Sequence, residues 1–187
     1  MAQTSTTLIS AKSHITSITG TDISLSATSG VYTISATSTV LTGAGKLAVG
    51  DLITVSGSAS NNSTFTVNTV VSTTELTVAE VITSENADGS STITLDHVGF
   101  VSDKAKGDGY YSQPDGVHTV AYQVANDFNA DATIKMQGTL ATTPTEDDWF
   151  DIANTTFTSD TSTLTSSFNF TGNYVWVRSK TQLLTAG

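Results

Sequence analysis

The sequence predicts an all-β protein: two small antiparallel β-barrel or β-sandwich domains preceded by an extended N-terminal arm. Three observations lead to this fold class. Apolar residues recur at every second position, turn-forming residues recur about every ten residues, and no segment carries a helical stripe of useful length. Period two with one apolar and one hydroxyl face is typical of half-buried antiparallel strands. Turns at this spacing favour a small barrel or sandwich.

The polar, threonine-rich residues 1–20 predict the arm, and residues 21–97 predict the first domain. Within that domain the alternation breaks at turns rich in glycine and asparagine. Thr64, Thr66 and Asn68 are expected to point away from the core. The apolar residues expected to share buried faces are Tyr32, Ile34, Ile53, Val55, Phe65, Val67, Leu76, Val78, Ile93 and Leu95.

Charge, glycine and proline interrupt the pattern at residues 98–116, which predicts a linker. The second β-domain then spans residues 117–187, with a short strand at "WFDI" and an alternation that begins at "HTVAYQVAND". Two further strands, "TSSFNF" and "NYVWVRSK", meet at the dipeptide "TG", where a hairpin-type turn is expected.

The charge balance and the residue composition exclude several function classes. Seventeen acidic residues against seven basic ones give a net charge of −10, which argues against nucleic acid and anionic membrane surfaces as partners. The sequence has no cysteine, which excludes disulfides, thiol nucleophiles and thiolate metal sites. It also has no signal peptide and no apolar run of about 18 residues, so we expect synthesis in a cytoplasm without standard export.

The sequence predicts no catalytic residue, no cofactor and no metal site. His14, His97 and His118 lie in separate contexts, and Asp96 beside His97 is the nearest approach to a catalytic or metal-binding pair. Serine is abundant, but no G-x-S-x-G segment stands between a strand and a helix.

Two acidic segments remain open to other interpretations. Asp103, Asp108 and Asp115 lie in a glycine-rich loop that could hold Ca²⁺, although EF-hand spacing is missing. The segment "EDD" at 146–148 could supply paired carboxylates for glycoside hydrolysis. A solvated loop is the favoured interpretation of both.

Four residues are candidates for an interface or a ligand contact: Tyr110, Tyr111, Trp149 and Arg178. Tyrosine is enriched at interfaces, and aromatic rings can form a platform for sugars. Trp176 has apolar neighbours on both faces of its strand and is expected to be buried. Arg178 is the only arginine, and we expect it to stack on the nearby Trp176 ring or to pair with a carboxylate, within the chain or across an interface.

Two stretches resemble virion proteins of tailed bacteriophages. "GDLITVSGSASNNSTFTV" (residues 50–67) resembles a module of their structural proteins, in which a G-D-x-I-T-V-S-G strand precedes an Asn-rich turn and a strand ending in T-V. "TLATTPTEDDWFDI", followed by "FNFTGNYVWVR", is similar to virion proteins of marine tailed phages, including cyanophages. The resemblance covers roughly half of the chain and implies an oligomeric virion component built of β-modules. It carries over no functional residue.

We therefore expect a non-enzymatic virion structural protein, made in the host cytoplasm and located in the virion. An accessory capsid decoration or cement protein is favoured, forming a homo-oligomer, most simply a trimer, and docking on other virion proteins such as the major capsid protein. Alternatives are a neck, tail-fibre or baseplate component, a carbohydrate-binding module for host recognition, and a hydrolase.

Overall fold

The computed structural model describes residues 5–9, 12–111, 116–124, 132–158 and 164–182. These residues form antiparallel strands and two short 3-10 turns, and no α-helix occurs among them. The fold is therefore all-β, as the alternation predicted. Residue contacts divide the chain into two units: residues 14–100, and residues 101–187 together with residues 1–13.

The unit formed by residues 14–100 is a continuous antiparallel ladder. Its strands lie in the spatial order β2-β3-β6-β5-β4-β7-β1, so the strands at its two ends are β2 and β1. The strands are β1 (Ile18–Gly20), β2 (Ile23–Thr28), β3 (Val31–Ala36), β4 (Asp51–Ser56), β5 (Thr64–Ser72), β6 (Glu75–Val78) and β7 (Ile93–Val101).

A two-residue turn joins β2 to β3. Thr28 pairs with Val31, and both Ser29 and Gly30 have positive φ, at 52° and 78°. Two consecutive positive φ angles are the signature of the turn whose twist matches that of its flanking strands.

The alternation of the sequence becomes the core of this unit. On β2, Ile23 and Leu25 are each 1% exposed, whereas Ser24 and Ser26 between them are half-buried. The other residues of the core cluster are Ile15, Ile18, Ile34, Leu41, Leu47, Ile53, Val55, Phe65, Val67, Leu76, Val78, Ile82, Ile93 and Leu95.

The longest departure from simple alternation is on β5. Its first residues, Thr64–Thr66, pair with β4, and its later residues pair with β6 across two register shifts. Thr66 lies on the face opposite Phe65 and Val67, but it is buried there, which the sequence did not predict. The carboxylate of Glu80 accepts hydrogen bonds from its backbone N–H and its hydroxyl, both at 2.7 Å. That pairing satisfies the polar atoms that burial takes from water.

A second carboxylate fixes the Asn-rich turn between β4 and β5. Glu85 accepts hydrogen bonds from the Ser58 hydroxyl at 2.5 Å, the Ala59 N–H at 2.9 Å and the Asn61 amide at 3.2 Å. Its backbone exchanges two hydrogen bonds with Leu25 of β2. The Ser58 hydroxyl first, and then the Ala59 N–H, hold the pKa of Glu85 below its ordinary value of 4.5.

Glu85→Gln is expected to lower the free energy of unfolding at neutral pH by about 1 kcal/mol. Because the folded protein holds the Glu85 pKa low, its contribution is complete above the ordinary pKa and is lost as the pH falls through the lowered one. Urea unfolding measured from about pH 7 to about pH 3 should show that the difference in free energy of unfolding between the wild type and Glu85→Gln becomes smaller in acid. Glu75→Gln on β6 is the control, and an equal loss there would contradict a specific role for Glu85.

The unit formed by residues 101–187 contains two sheets. In one, β10 pairs with β11, β12 and β14, and β14 also pairs with β8; in the other, β9 pairs with β13. The strands are β8 (Ala105–Lys106), β9 (Val117–Val124), β10 (Thr133–Thr139), β11 (Phe150–Asp151), β12 (Phe157–Thr158), β13 (Leu164–Thr171) and β14 (Trp176–Gln182). The buried residues of its core cluster are Met136, Ile152, Phe170 and Val177, with Leu8, Ala105, Val120, Phe168 and Tyr174 packed against them.

The expected hairpin at residues 171–172 is wrong, because β13 and β14 belong to different sheets. The chain passes from one sheet to the other through Tyr174, whose ring packs against Gly172 and Gly138. A Cβ atom at Gly172 would lie 2.3 Å from that ring, and one at Gly138 would lie 2.6 Å from it. Gly172 and Gly138 therefore leave space for the Tyr174 ring. The dipeptide Thr171–Gly172 begins a connection between two sheets instead of forming a hairpin turn.

The arm, the linker and the exact domain limits remain predictions, as does the assignment of each domain to a barrel or a sandwich. Within the predicted arm, Ile18–Gly20 form strand β1, and Leu8 packs in the second core cluster. Within the predicted linker lie the end of β7, all of β8 and the 3-10 turn Asp108–Tyr111. Residues 1–4, 10–11 and 112–115 of these two segments lie outside the described residues.

Candidate functional site

The four candidate contact residues fall into two groups in the unit formed by residues 101–187. Arg178 is 6% exposed and lies against the half-buried Trp149. Tyr110 and Tyr111 are 42% and 57% exposed and lie beside Trp176 instead. The sequence did not reveal this division, because each group draws on strands that are far apart in the chain.

Arg178 anchors the loop between β10 and β11. Its two terminal nitrogens donate to the two carboxylate oxygens of Glu146, at 2.9 and 2.8 Å, and its Nε donates to Gln137 Oε1 at 2.9 Å. Its guanidinium carbon lies 4.3 Å from the centre of the Trp149 ring. The expected carboxylate pairing therefore occurs within one chain, whereas the expected stacking on Trp176 is wrong, because the guanidinium lies over Trp149. A planar bidentate contact of this kind fixes orientation as well as charge.

The acidic segment 146–148 uses two of its three carboxylates inside the chain. Glu146 binds Arg178, and Asp148 accepts hydrogen bonds from the Thr145 N–H at 2.7 Å and hydroxyl at 2.8 Å. The Thr145 N–H, followed by the hydroxyl, lowers the pKa of Asp148. These contacts give both carboxylates structural partners at the start of a 3-10 turn, a geometry that differs from two carboxylates facing a common cleft.

The network of side-chain hydrogen bonds around Arg178 extends along β10. Asp151 accepts hydrogen bonds from Lys135 at 2.5 Å and from Gln137 at 2.9 Å. Burial acts to raise the pKa of Asp151, but the hydrogen bonds from Lys135 and Gln137 outweigh it and hold the pKa below the ordinary value. Gln137 thereby links this ion pair to Arg178.

Arg178→Lys is expected to lower the free energy of unfolding by about 2 kcal/mol, because lysine keeps the charge but loses the bidentate geometry and the stacking on Trp149. Urea unfolding followed by tryptophan fluorescence measures this change. Lys180→Arg on the same strand is the matched control. A loss below about 0.5 kcal/mol for Arg178→Lys would show that the loop is held by other contacts.

The second group, here named the aromatic–lysine cluster, consists of Tyr110, Tyr111, Trp176, Lys104 and Lys106. The Tyr110 ring centre lies 5.2 Å from that of Tyr111 and 4.8 Å from that of Trp176. The ammonium of Lys106 lies 4.1 Å from the centre of Tyr110, and that of Lys104 lies 4.7 Å from the centre of Trp176. Both distances are typical of cation–π contacts.

The prediction that Trp176 is buried is wrong, because its side chain is half-buried. It pairs with Lys106 across the β8–β14 ladder, and its Nε1 donates to the Thr142 carbonyl at 3.1 Å. Its ring contacts the exposed side chains of Tyr110 and Lys104, which leave part of it open to solvent. The apolar neighbours of Trp176 in the sequence gave no sign of these exposed partners.

Two glycines bind the turn that carries the tyrosines to the segment before β14. Gly107 and Gly109 donate backbone hydrogen bonds to the Val175 and Tyr174 carbonyls, at 3.0 and 2.8 Å. A Cβ atom at Gly107 would lie 2.3 Å from the Tyr174 carbonyl oxygen, so this close approach requires glycine. Tyr110 therefore projects from a turn that is fixed on both sides.

The most deeply buried ionisable pair is His97 and Asp51, which are 1% and 0% exposed. The Ile15 N–H donates to His97 Nδ1 at 3.1 Å, so a neutral imidazole carries its proton on Nε2. That nitrogen lies 3.8 Å from Asp51 Oδ1, and Asp51 Oδ2 accepts from the Ala48 N–H at 2.8 Å. The carboxylate beside His97 is therefore Asp51, from a neighbouring strand, and not Asp96. The imidazole tethers the segment that precedes β1.

His97→Ala is expected to lower the free energy of unfolding by about 3 kcal/mol, since it leaves a cavity and an unpaired Ile15 N–H. The control is His14→Ala, at an exposed position whose ring lies 5.7 Å from that of His97; its loss should be about 0.5 kcal/mol or less. Thermal unfolding measures both. Equal losses would show that His97 does not hold the segment.

The possible Ca²⁺ loop is only partly described, because Asp115 lies outside the described residues. Asp103 is exposed, and Asp108 Oδ2 accepts from the Gly116 N–H at 2.7 Å and lies 3.5 Å from His118 Nε2. Within the part of the chain that the structure covers, no three acidic or histidine side chains converge as metal ligands would.

Comparisons with known proteins return no relative. No protein-family model matches the sequence, and neither a curated protein nor a solved structure is significantly similar to this chain. Among the described residues, no helix has the length and apolar character to cross a bilayer.

Proposed function

We propose that the chain is a non-enzymatic structural protein of a tailed-phage particle, most specifically an accessory capsid decoration or cement protein. In this proposal it self-associates, as a trimer, and docks on the major capsid protein. The resemblance of residues 50–67 and of the C-terminal stretches to phage virion proteins supports the virion assignment. A neck, fibre or baseplate position is the alternative within the same class.

The observation that carries the assembly part of the proposal is the pair formed by β9 and β13. The two strands match residue for residue over eight positions without a register shift. No other strand in the described ranges pairs with either of them, so within those ranges each has one edge without a partner strand. An isolated pair of strands is only marginally stable, and a long free edge is a template for another strand.

These edges lack the usual protection. Neither strand contains a lysine, arginine, aspartate, glutamate or proline. Natural proteins guard free edges with such residues, with bulges or with very short strands. One face of the pair packs on the core through Val120, Phe168 and Phe170, and the other presents small polar side chains such as Thr119 and Ser167. The pair is therefore suited to extension by strand addition.

The two free edges are different, so pairing of β9 of one copy with β13 of the next would be a head-to-tail contact. Such contacts close into rings when the rotation permits and otherwise continue as filaments. A trimer is the ring that the proposal adopts, since it also matches the local three-fold positions of a capsid.

We expect light scattering to give a mass of three times the 19.4 kDa of one chain. Thr119→Lys combined with Ala121→Lys should dissociate the trimer, because lysine on an edge strand opposes pairing. Ser63→Lys combined with Asn68→Lys adds the same charge at exposed positions in or beside the central strand β5 and should leave the mass unchanged.

The virion assignment is tested on purified particles of the phage that encodes the chain. Mass spectrometry should find the chain in the particle, and a high-resolution image should place it on the outer shell. Particles that lack the chain, with the protein free as a monomer in the lysate, would overturn the proposal. Its detection at the neck or the tail would select the alternative position.

A further inference from the structure

We propose that the aromatic–lysine cluster is a binding site for a carboxylated sugar, of the kind found as uronic acid units in acidic saccharides. The site lies wholly within one chain, so the inference does not depend on the proposed assembly or on a place in a virion. It changes the membership of the platform that the sequence suggested, because Trp176 takes the place of Trp149.

The rings of Tyr110 and Tyr111 meet at an angle. Their ring planes meet at 77° with centres 5.2 Å apart, so Tyr110 and Tyr111 form two walls of an open corner. The ammonium of Lys106 lies 4.1 Å from one ring centre and 5.7 Å from the other. The corner thus presents two apolar walls and a cation, and both walls are more than two-fifths exposed.

The two lysines of the cluster differ from other basic residues of the unit in having no carboxylate partner among the described residues. Acidic residues outnumber basic ones in this chain, and Lys135 and Arg178 each bind a carboxylate. In contrast, no carboxylate in the described part of the chain lies within 4.0 Å of Lys104 or Lys106. An aromatic face holds an exposed ammonium only weakly compared with a charge-assisted hydrogen bond. The two ammonium groups can therefore turn towards an incoming anion.

Two lysines and two aromatic walls limit which anion fits. A nucleic acid carries one phosphate every few ångströms and is bound by a long row of basic side chains, whereas only two lysines meet in this cluster. An acidic peptide matches the lysines, but it offers the rings a flat apolar surface only where an aromatic or proline side chain stands beside its carboxylates. A pyranose ring offers a C–H face to an aromatic wall, and a carboxylate at its edge reaches a lysine. Sites for small ligands combine apolar aromatic walls with a few placed polar groups in the same way.

The aromatic side chains of the cluster are held in place before any ligand binds. Trp176 is fixed behind Tyr110 by its hydrogen bond to Thr142, and the turn that carries the tyrosines is fixed by the backbone bonds of Gly107 and Gly109. The aromatic walls therefore need little ordering when a ligand arrives, which lowers the entropy that binding must overcome.

The test is a titration of the isotope-labelled full chain with trigalacturonate, followed by NMR shifts of the backbone amides of residues 104–111 and 176. We expect saturable shifts confined to these residues. Lys106→Ala should raise the Kd about tenfold or more, since a hydrogen bond to a charge is lost. Lys104→Ala provides a second variant, and Lys46→Ala, in the other unit, removes the same charge and should leave the Kd within about twofold.

The role of the ring is separated from that of the hydroxyl at Tyr111. Tyr111→Phe should retain binding, whereas Tyr111→Ala should weaken it about fivefold through the loss of the aromatic wall. Polygalacturonate fixed on beads, compared with trigalacturonate in solution, distinguishes a polymer from a free sugar as the source of the same chemistry.

Three outcomes would overturn the proposal. The first is the absence of shifts up to about 10 mM trigalacturonate, which corresponds to binding weaker than about 3 kcal/mol. The second is equal binding of the trimethyl ester, which would show that the carboxylates are not recognised. The third is equal binding of hexaglutamate, which would show that charge alone is read and that the site is better suited to an acidic protein.

Discussion

The structure depends on one constraint, which is that successive side chains of an extended strand point to opposite faces. Only 37% of the residues are hydrophobic, so the chain can supply one apolar face per strand and little more. Ile23 and Leu25 occupy that face on β2, while Ser24 and Ser26 occupy the other. A protein with this composition can form a core only by turning many one-sided strands towards one another, and the ladder of residues 14–100 does so.

The part of the fold that alternation controls could be predicted from the sequence. Ile53, Phe65 and Leu76 lie inside as expected, because the side of a strand that a residue faces is a local property. The partners of Thr66, Arg178 and Trp176 could not be predicted, because they depend on which strand lies alongside and in which register. The spacing of Lys104 and Lys106, two positions apart and close to two tyrosines, was the available signal for the cluster, but only the ladder with β14 shows which ring they face.

The two units use their charges differently. In residues 14–100, Glu80 and Glu85 accept hydrogen bonds from hydroxyl and N–H groups of their own unit, and Lys46 is the only lysine or arginine of that segment. The other six lysine and arginine residues of the chain belong to the second unit. Both the free strand edges and the aromatic–lysine cluster also lie in the second unit. The groups on which both proposals rest therefore lie in the second unit, while the first unit keeps two of its carboxylates occupied.

The outward faces of β9 and β13 have a consequence for the proposed assembly. Their side chains are uncharged, and several of them, such as Thr119, Ala121 and Ser167, are small. Such a face offers few side chains that fix the register of an added strand, and a slip by two residues keeps every side chain on its own face. In an assembly built by strand addition, the offset between adjoining copies could thus shift in steps of one strand repeat, about 7 Å. Such tolerance would let identical copies follow a surface whose curvature changes from place to place.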